Sequence, residues 1–215
     1  MGLAVIYSRA SVGVEAPLVT VEVHISNGMP GFTLVGLPET TVKESRDRVR
    51  SAIIHSRFEF PPKRITVNLA PADLPKEGGR FDLPIALGIL AASEQVLSDD
   101  LEHYEFLGEL ALSGLLRTVK GVLPAALAAG KDERCLIIPD GNGDQAALVG
   151  KERHLSARSL LEVCQALCGD ISLSLHQSTH HISEDKQLRD LQDIIGQQQG
   201  KRALEIAAAG HHNLL

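Results

Sequence analysis

The sequence is poor in aromatic residues, with 5 Phe, 2 Tyr and no Trp among 215 residues. A core with so few rings must be built from Ala, Val, Leu and Ile, which suits helices packed on a β-sheet. The same scarcity leaves few side chains on which unpaired nucleic-acid bases can stack, so any nucleic-acid contact should rest on phosphates. Hydrophobic residues still make up 44% and charged residues 22% of the chain, the balance of a folded globular protein.

Cysteine, long apolar runs and positive charge are also scarce. The 3 Cys form no regular framework, which excludes a disulfide-stapled secreted domain. No apolar run approaches the roughly 18 residues of a transmembrane helix, and the first residues lack a secretory-signal pattern, so we expect a cytoplasmic protein without a membrane partner. The net charge of -6 argues against a chain that coats nucleic acid by its overall field, although a local basic patch stays possible.

Hydrophobic spacing predicts an α/β (α+β) fold. Val19, Val21, Val23 and Ile25 recur with period two, which predicts two or three antiparallel strands within residues 3–37. From Pro38 the spacing turns helical for about 17 residues. The further predicted elements are a strand at 62–69, a helix at 84–96, a hairpin turning at 113–114, a helix at 122–130 ended by Gly130, a strand within 134–142 and an amphipathic helix at 156–169.

The composition changes near residue 169, which predicts a domain boundary. We expect one domain over residues 1–169 and a polar linker over 170–185. Residues 186–215 have a helical pattern that breaks near 195–196 and closes on apolar residues typical of the start of a strand. Because stable domains rarely end on an unpaired strand, we expect the chain to be a piece of a longer protein.

Three stretches carry a family resemblance that covers nearly the whole chain. They are the opening strands, the region of VKESRDRVRSAI and NLAPADLPKEGGRFDLPIALGIL, and the terminal DIIGQQQGKRALEIAAAGHHNLL. Together they resemble the ComM/YifB family of magnesium-chelatase-like AAA+ ATPases. The resemblance implies that residues 1–169 have the fold of the Lon proteolytic domain, which is similar to the second domain of a small-subunit ribosomal protein. It also implies that residues 186–215 begin an AAA+ domain.

The resemblance further implies a function and its cofactors. Family members form homo-hexamers on single- or double-stranded DNA and use ATP, with Mg²⁺, to drive branch migration in natural transformation and recombination. Ile194, Ile195, Gly196 and Gln197 would then lie beside the adenine. This nucleotide site is incomplete, because the sequence contains no Gly-x4-Gly-Lys-Ser/Thr loop to hold the phosphates. We therefore expect this chain alone to hold no cofactor and to hydrolyse no nucleotide.

A peptidase is an alternative that the Lon likeness raises. Lon-type sequences need a serine and a lysine that converge on one cleft. In this chain Arg80 occupies the serine position and Leu123 the lysine position, while Lys120 lies three residues earlier. Arginine has no hydroxyl and stays protonated, so we expect no catalytic residues. A third alternative is a module that recruits other recombination proteins.

The glycine-containing loop at 70–84 has an unusual set of charges. One interpretation is a flexible loop that presents Lys76 and Arg80 to DNA phosphates or to a neighbouring subunit. The alternative is structural: Arg80 pairs with nearby Asp82 and fixes a tight loop.

A basic run occupies residues 43–64, where seven cations face three anions and give a local charge of +4. We identify Arg46 and Arg50 as candidate contacts to DNA or a subunit. The alternative is a solvated helix face on which Glu44 and Asp47 compensate Arg48 and Arg50 at helical spacing.

A metal site is not expected. Cys164-x3-Cys168 followed by His176-x3-His180 imitates a zinc pattern, but the spacing is short and both cysteines fall on the apolar stripe of the last helix of the first domain. We expect buried thiols there instead.

Overall fold

The computed structural model describes residues 2–36, 44–76, 78–97, 100–149, 154–173 and 190–214. The chain divides into two compact units, residues 1–179 and 180–215. Most of the expected linker lies outside the described residues, so the predicted domain bounds stay predictions. None of the helices in the described ranges is long and apolar enough to span a membrane.

The first unit contains nine strands and five α-helices within its described residues. The strands are β1 (Gly2–Arg9), β2 (Leu18–Ser26), β3 (Gly31–Val35), β4 (Arg64–Ala70), β5 (Tyr104–Phe106), β6 (Glu109–Leu110), β7 (Leu116–Arg117), β8 (Cys135–Pro139) and β9 (His154–Ala157). The helices are α1 (Ser45–His55), α2 (Asp82–Ala92), α3 (Val122–Lys131), α4 (Gly143–Ala147) and α5 (Leu160–Leu167). The second unit contains α6 (Gln198–Gly210), which follows a short 3-10 helix at Leu191–Asp193.

Seven strands form one mixed sheet in the order β3-β4-β2-β1-β5-β8-β9. The pairs β1/β2 and β2/β4 are antiparallel, and the other four pairs are parallel. The strands β6 and β7 form a separate antiparallel hairpin. The prediction of a mixed α/β fold is therefore confirmed. Of the two or three antiparallel strands expected within residues 3–37, β1 and β2 are antiparallel, whereas β3 lies parallel to β4 at the sheet edge.

Strand β2 and helix α2 form the centre of the main core. The predicted alternation on β2 is confirmed, since Val19, Val21 and Val23 are fully buried while His24 on the opposite face is exposed. Helix α2 is almost entirely buried because it is apolar around its whole circumference. At Gly88 it comes so close to β2 that an added Cβ would lie 2.5 Å from Val23 Cγ2.

Strand β8 is buried on both faces. Ile137 packs into the main core, whereas Leu136 and Ile138 pack on the opposite side of the sheet with Val122 and Ala125 of α3. A second, smaller core therefore lies beneath α3, and its small side chains let this helix approach the sheet closely.

A buried ion-pair network joins β1 to β5. Arg9 donates through Nε and Nη2 to the two carboxylate oxygens of Glu105, at 2.7 and 2.6 Å, and Glu105 is fully buried. Asp132, just after α3, accepts from Arg9 Nη2 at 2.5 Å. The guanidinium of Arg134 lies 3.6 Å from Glu105 and 4.4 Å from the ring centroid of Tyr7. No local pattern in the sequence predicts this network, because its members are far apart along the chain.

The boundaries differ from the predicted ones in several places. Helix α2 begins at Asp82, so Pro84 lies in its first turn, where a missing N–H is tolerated. Gly130 lies inside α3 and does not end it. The pattern did not predict β9 and α4, because 4- and 5-residue elements are too short to show a period. No strand follows α6 within the described residues, and the predicted start of the α1 helix at 38–43 lies outside them.

Candidate functional site

Arg46 and Arg50, the two candidate contacts on the basic run, line one exposed groove. This groove of about 540 Å³, here called the Arg46 groove, is lined by Gly31, Phe32, Arg46, Arg50, Phe60 and Lys63, with Asp47 beside them. Helix α1 supplies the arginines and Asp47, the start of β3 supplies Gly31 and Phe32, and the segment before β4 supplies Phe60 and Lys63. The basic run therefore contributes Arg46, Arg50 and Lys63 to one surface, from helix α1 and from the segment before β4.

The Arg46 groove carries a positive surplus. Arg46 Nε lies 3.2 Å from Asp47 Oδ1, and the Arg50 guanidinium lies 4.8 Å from the ring centroid of Phe60. Three exposed cations face one carboxylate, since Lys63 is exposed as well. Exposed arginine and lysine side chains in one groove suit an extended anion such as a phosphate backbone.

Arg48 does not belong to this groove. Its Nε and Nη2 donate to the two carboxylate oxygens of the fully buried Asp82, at 2.8 and 3.2 Å. The main carboxylate partner of Arg48 therefore comes from α2, and the charge of Glu44, which the alternative named, adds a smaller attraction.

Lys76 is buried and bonded to its own loop. Its side chain is 0% exposed, and Nζ donates to the carbonyl oxygens of Pro71 and Leu74, the latter at 3.2 Å. Burial lowers the pKa of this amine, and the charge of Asp73 partly opposes that effect. The expectation that a flexible loop presents Lys76 to solvent does not match this burial, because the backbone carbonyls hold the ammonium inside. Its contact with DNA or a subunit stays a prediction.

Arg80 is buried as well, in the short 3-10 helix Gly79–Phe81 that precedes α2. Its side chain donates through Nη2 to the carbonyl oxygen of Lys120 at 3.2 Å, and the residue is 6% exposed. Within the described residues, Arg80 Nε has no hydrogen-bond partner. Burial lowers the pKa of Arg80 to about 10. The alternative of a local Arg80–Asp82 pair is wrong, because Asp82 bonds Arg48 instead.

A cleft of about 440 Å³ opens at Arg80. We call it the Arg80 cleft and define it by Ser11, Gly79, Arg80, Glu109, Thr118 and Lys120. It joins the loop before α2 to the loop before α3. Sequence reasoning missed Ser11 and Glu109. The signal was the Gly78-Gly79 pair: a Cβ on Gly79 would lie 2.5 Å from Glu109 Cγ, so the Glu109 side chain occupies space that glycine leaves open.

The predicted nucleotide-proximal residues lie in the second unit. Gly196 and Gln197 have positive φ values of 75 and 54° and lead into α6. Ile195 and Ile194 are both exposed, at 97% and 43%. The position of these four residues beside an adenine stays a prediction. ATP and Mg²⁺ remain expectations for longer family members.

The cysteines do not form a metal site in the described part of the chain. No cluster of three or more metal-ligating side chains occurs there, and His176 and His180 lie outside it. Cys164 is buried, and burial raises its thiol pKa to about 12, as expected for an inert thiol. The expectation that Cys168 is also buried is wrong, because it follows the end of α5 and is exposed.

Comparison with known proteins places this chain in a family. The family described as subunit ChlI of Mg-chelatase matches residues 21–142, more than half of the chain, and the magnesium chelatase, subunit ChlI, family matches residues 190–215. Over its whole length the chain is 61% identical to "Competence protein ComM" of Haemophilus influenzae and 56% identical to "Uncharacterized protein YifB" of Escherichia coli. It is 38% identical to an uncharacterized protein of Mycobacterium tuberculosis.

The chain spans 43%, 42% and 43% of the length of these relatives, respectively, which is less than half in each case. The alignment with the Haemophilus influenzae protein covers 100% of this chain and so includes both compact units. The chain therefore belongs to the ComM/YifB family of proteins with a magnesium-chelatase-like ChlI domain.

Proposed function

We propose that this chain is the N-terminal part of an AAA+ motor that uses ATP and Mg²⁺ to drive DNA branch migration in natural transformation and homologous recombination. The observation that carries this proposal is the 61% identity to a protein named for competence. Competence is the uptake of DNA, and DNA taken up must be paired with the chromosome, so a motor that moves DNA junctions suits that process.

The role of this part is non-catalytic: it guides DNA or packs against the next subunit of a homo-hexamer. The Arg46 groove supports DNA guidance, because Arg46, Arg50 and Lys63 are exposed on one surface against a single carboxylate. Phosphate contacts of this kind bind DNA without reading its sequence, as a motor that moves along any DNA requires.

The first unit is proposed to have the Lon proteolytic-domain fold without its activity. The two loops that carry the serine and lysine in Lon-type sequences meet here, since Arg80 Nη2 lies 3.2 Å from the Lys120 carbonyl oxygen. Arg80 offers no nucleophile at that point. The cleft does contain the hydroxyl of Ser11, but among the described residues no hydrogen bond joins it to the Lys120 amine.

The experiment that tests the motor proposal uses the full-length protein. ATP hydrolysis is measured with and without a four-way DNA junction, together with the rate at which strands exchange at that junction. We expect DNA to stimulate hydrolysis and ATP to be required for exchange. Hydrolysis that DNA does not change, or exchange that does not need ATP, would overturn the proposal.

A second measurement separates the motor from the peptidase and the recruiting module. The 215-residue chain is incubated with casein, and we expect no cleavage. Cleavage that Lys120→Ala abolishes would establish the peptidase. Junction exchange by the full-length protein alone, with no added protein, would speak against a role limited to recruitment.

A further inference from the structure

We propose that the Arg80 cleft is a binding site for a single phosphate group, held by the Arg80 guanidinium, the Ser11 hydroxyl, the Lys120 ammonium and the N-terminus of α3. This goes beyond the motor proposal, because the Arg80 cleft shares no residue with the Arg46 groove.

The first support is the state of Arg80. A guanidinium that is 6% exposed normally has its donors satisfied by a carboxylate or by carbonyls, since an unmatched buried charge is costly. Here the side chain makes one hydrogen bond, to the Lys120 carbonyl, and within the described residues Nε has none. The guanidinium lines the cleft, so a ligand with several acceptor oxygens would supply the missing partners.

The second support is independent of Arg80. Helix α3 spans ten residues and begins after Gly121, and no side chain in the described ranges caps it. Its first N–H groups therefore lack side-chain partners, and the helix dipole favours an anion at this end. Gly121 has a left-handed φ of 71°. A Cβ placed there would lie 3.0 Å from Ser11 Oγ and 3.8 Å from Arg80 Nη2, so the helix end, the hydroxyl and the guanidinium converge.

The charge around the cleft also favours an anion. Ser11 and Lys120 are exposed, so both can turn towards a ligand. Among the described residues of the lining, the carboxylate is that of Glu109, and Arg117 Nη1 lies 3.6 Å from its Oε1. Among the described lining residues, Arg80 and Lys120 therefore outnumber Glu109 by one charge, and Arg117 outside the lining partly neutralises Glu109. A phosphate matches this set better than an uncharged ligand, because its oxygens accept from arginine, hydroxyl and backbone N–H donors together.

The phosphate group could come from free phosphate or from the phosphodiester of DNA, and the experiment distinguishes these sources. Inorganic phosphate is titrated into the ¹⁵N-labelled 215-residue chain at constant ionic strength, and the backbone amide signals of Gly121 and Val122 are followed by NMR. We expect both signals to shift and to saturate. Arg80→Gln removes a buried charge and risks unfolding, so the test rests on two exposed residues instead.

Lys120→Gln should weaken phosphate binding about tenfold, and Ser11→Ala should weaken it by a smaller factor, because each removes one hydrogen bond to a charged ligand. Lys131→Gln is the matched control: it removes an exposed cation at the opposite end of α3 and should leave the affinity unchanged. A short duplex DNA that displaces phosphate identifies the phosphodiester as the source, and a duplex that does not identifies free phosphate. Amide shifts that do not saturate, or equal affinities for Lys120→Gln and Lys131→Gln, would overturn the site.

Discussion

Arg48 on α1 forms a two-point ion pair with Asp82 in the first turn of α2, and the same carboxylate accepts from the backbone N–H of Leu110 at 3.3 Å. One buried carboxylate therefore joins two helices and the β6–β7 hairpin. Asp82 also follows directly on the 3-10 helix that carries Arg80, so it fixes the start of α2 beside the Arg80 cleft.

Asp82 should make the stability of the protein depend on pH. Burial raises the pKa of this carboxyl from 3.8 to about 6, although Arg48 opposes the rise. The folded state then binds the proton more tightly than the unfolded state. This contribution to stability is complete below pH 3.8 and is lost as the pH rises through about 6.

Relative to Asp82→Asn, the wild-type protein should therefore lose on the order of 2 kcal/mol of unfolding free energy between pH 4 and pH 7. Urea denaturation of both proteins at several pH values in this window measures the difference. A difference that grows in favour of the wild type with rising pH would contradict the raised pKa.

Glu105→Gln should destabilise the protein by about 3 kcal/mol, because it leaves the buried Arg9 guanidinium with only part of its charge compensated. Glu102→Gln is the control, since Glu102 has a side chain that is 73% exposed. It should change the free energy of unfolding by less than about 0.5 kcal/mol. Urea denaturation midpoints at pH 7 compare the two, and equal effects would show that the Arg9–Glu105 pair is not needed.

Reversing Arg46 and Arg50 to Glu should weaken DNA binding by the full-length protein and flatten its dependence on salt. Loss of two phosphate contacts should reduce the slope of log affinity against log salt by about 2. Arg158→Glu with Arg202→Glu is a control of the same charge change, on side chains that are 79% and 71% exposed and lie outside the groove. Fluorescence anisotropy at several salt concentrations gives both slopes, and the groove has no DNA role if the two double variants behave alike.

Two glycines in helices should respond to alanine in opposite directions. Gly88→Ala places a Cβ 2.5 Å from Val23 Cγ2 in the main core and should destabilise the protein by about 1 to 3 kcal/mol. Gly130 lies in α3 with no atom within 4 Å of an added Cβ, so Gly130→Ala should stabilise it by about 0.5 to 1 kcal/mol. Thermal denaturation of both variants checks the signs, and a stabilised Gly88→Ala would mean that α2 can move away from β2.

The sequence predicted those elements whose burial follows a period. The alternation of β2 predicted a strand with one buried face, and that face lies in the main core. Arg48 and Asp82 are 34 residues apart, so their pairing depends on how α1 packs on α2, which no local pattern records. Arg80 was expected on the surface because charged residues usually lie there, and its burial depends on two loops that meet only in the folded chain.

Strand β8 is buried on both faces. A shift of its register by one residue would therefore expose none of Leu136, Ile137 and Ile138 to water. On β2 such a slip would turn the buried valines to solvent, so hydrophobic alternation fixes the register of that strand. It cannot fix the register of β8. Side-chain hydrogen bonds at the two ends of β8 fix its register instead. Arg134 Nε donates to the Glu102 carbonyl oxygen at 3.1 Å before the strand, and Ser156 Oγ donates to Asp140 Oδ1 at 3.2 Å after it. A slipped β8 would lose both, so correct alignment of this half of the sheet depends on hydrophilic side chains.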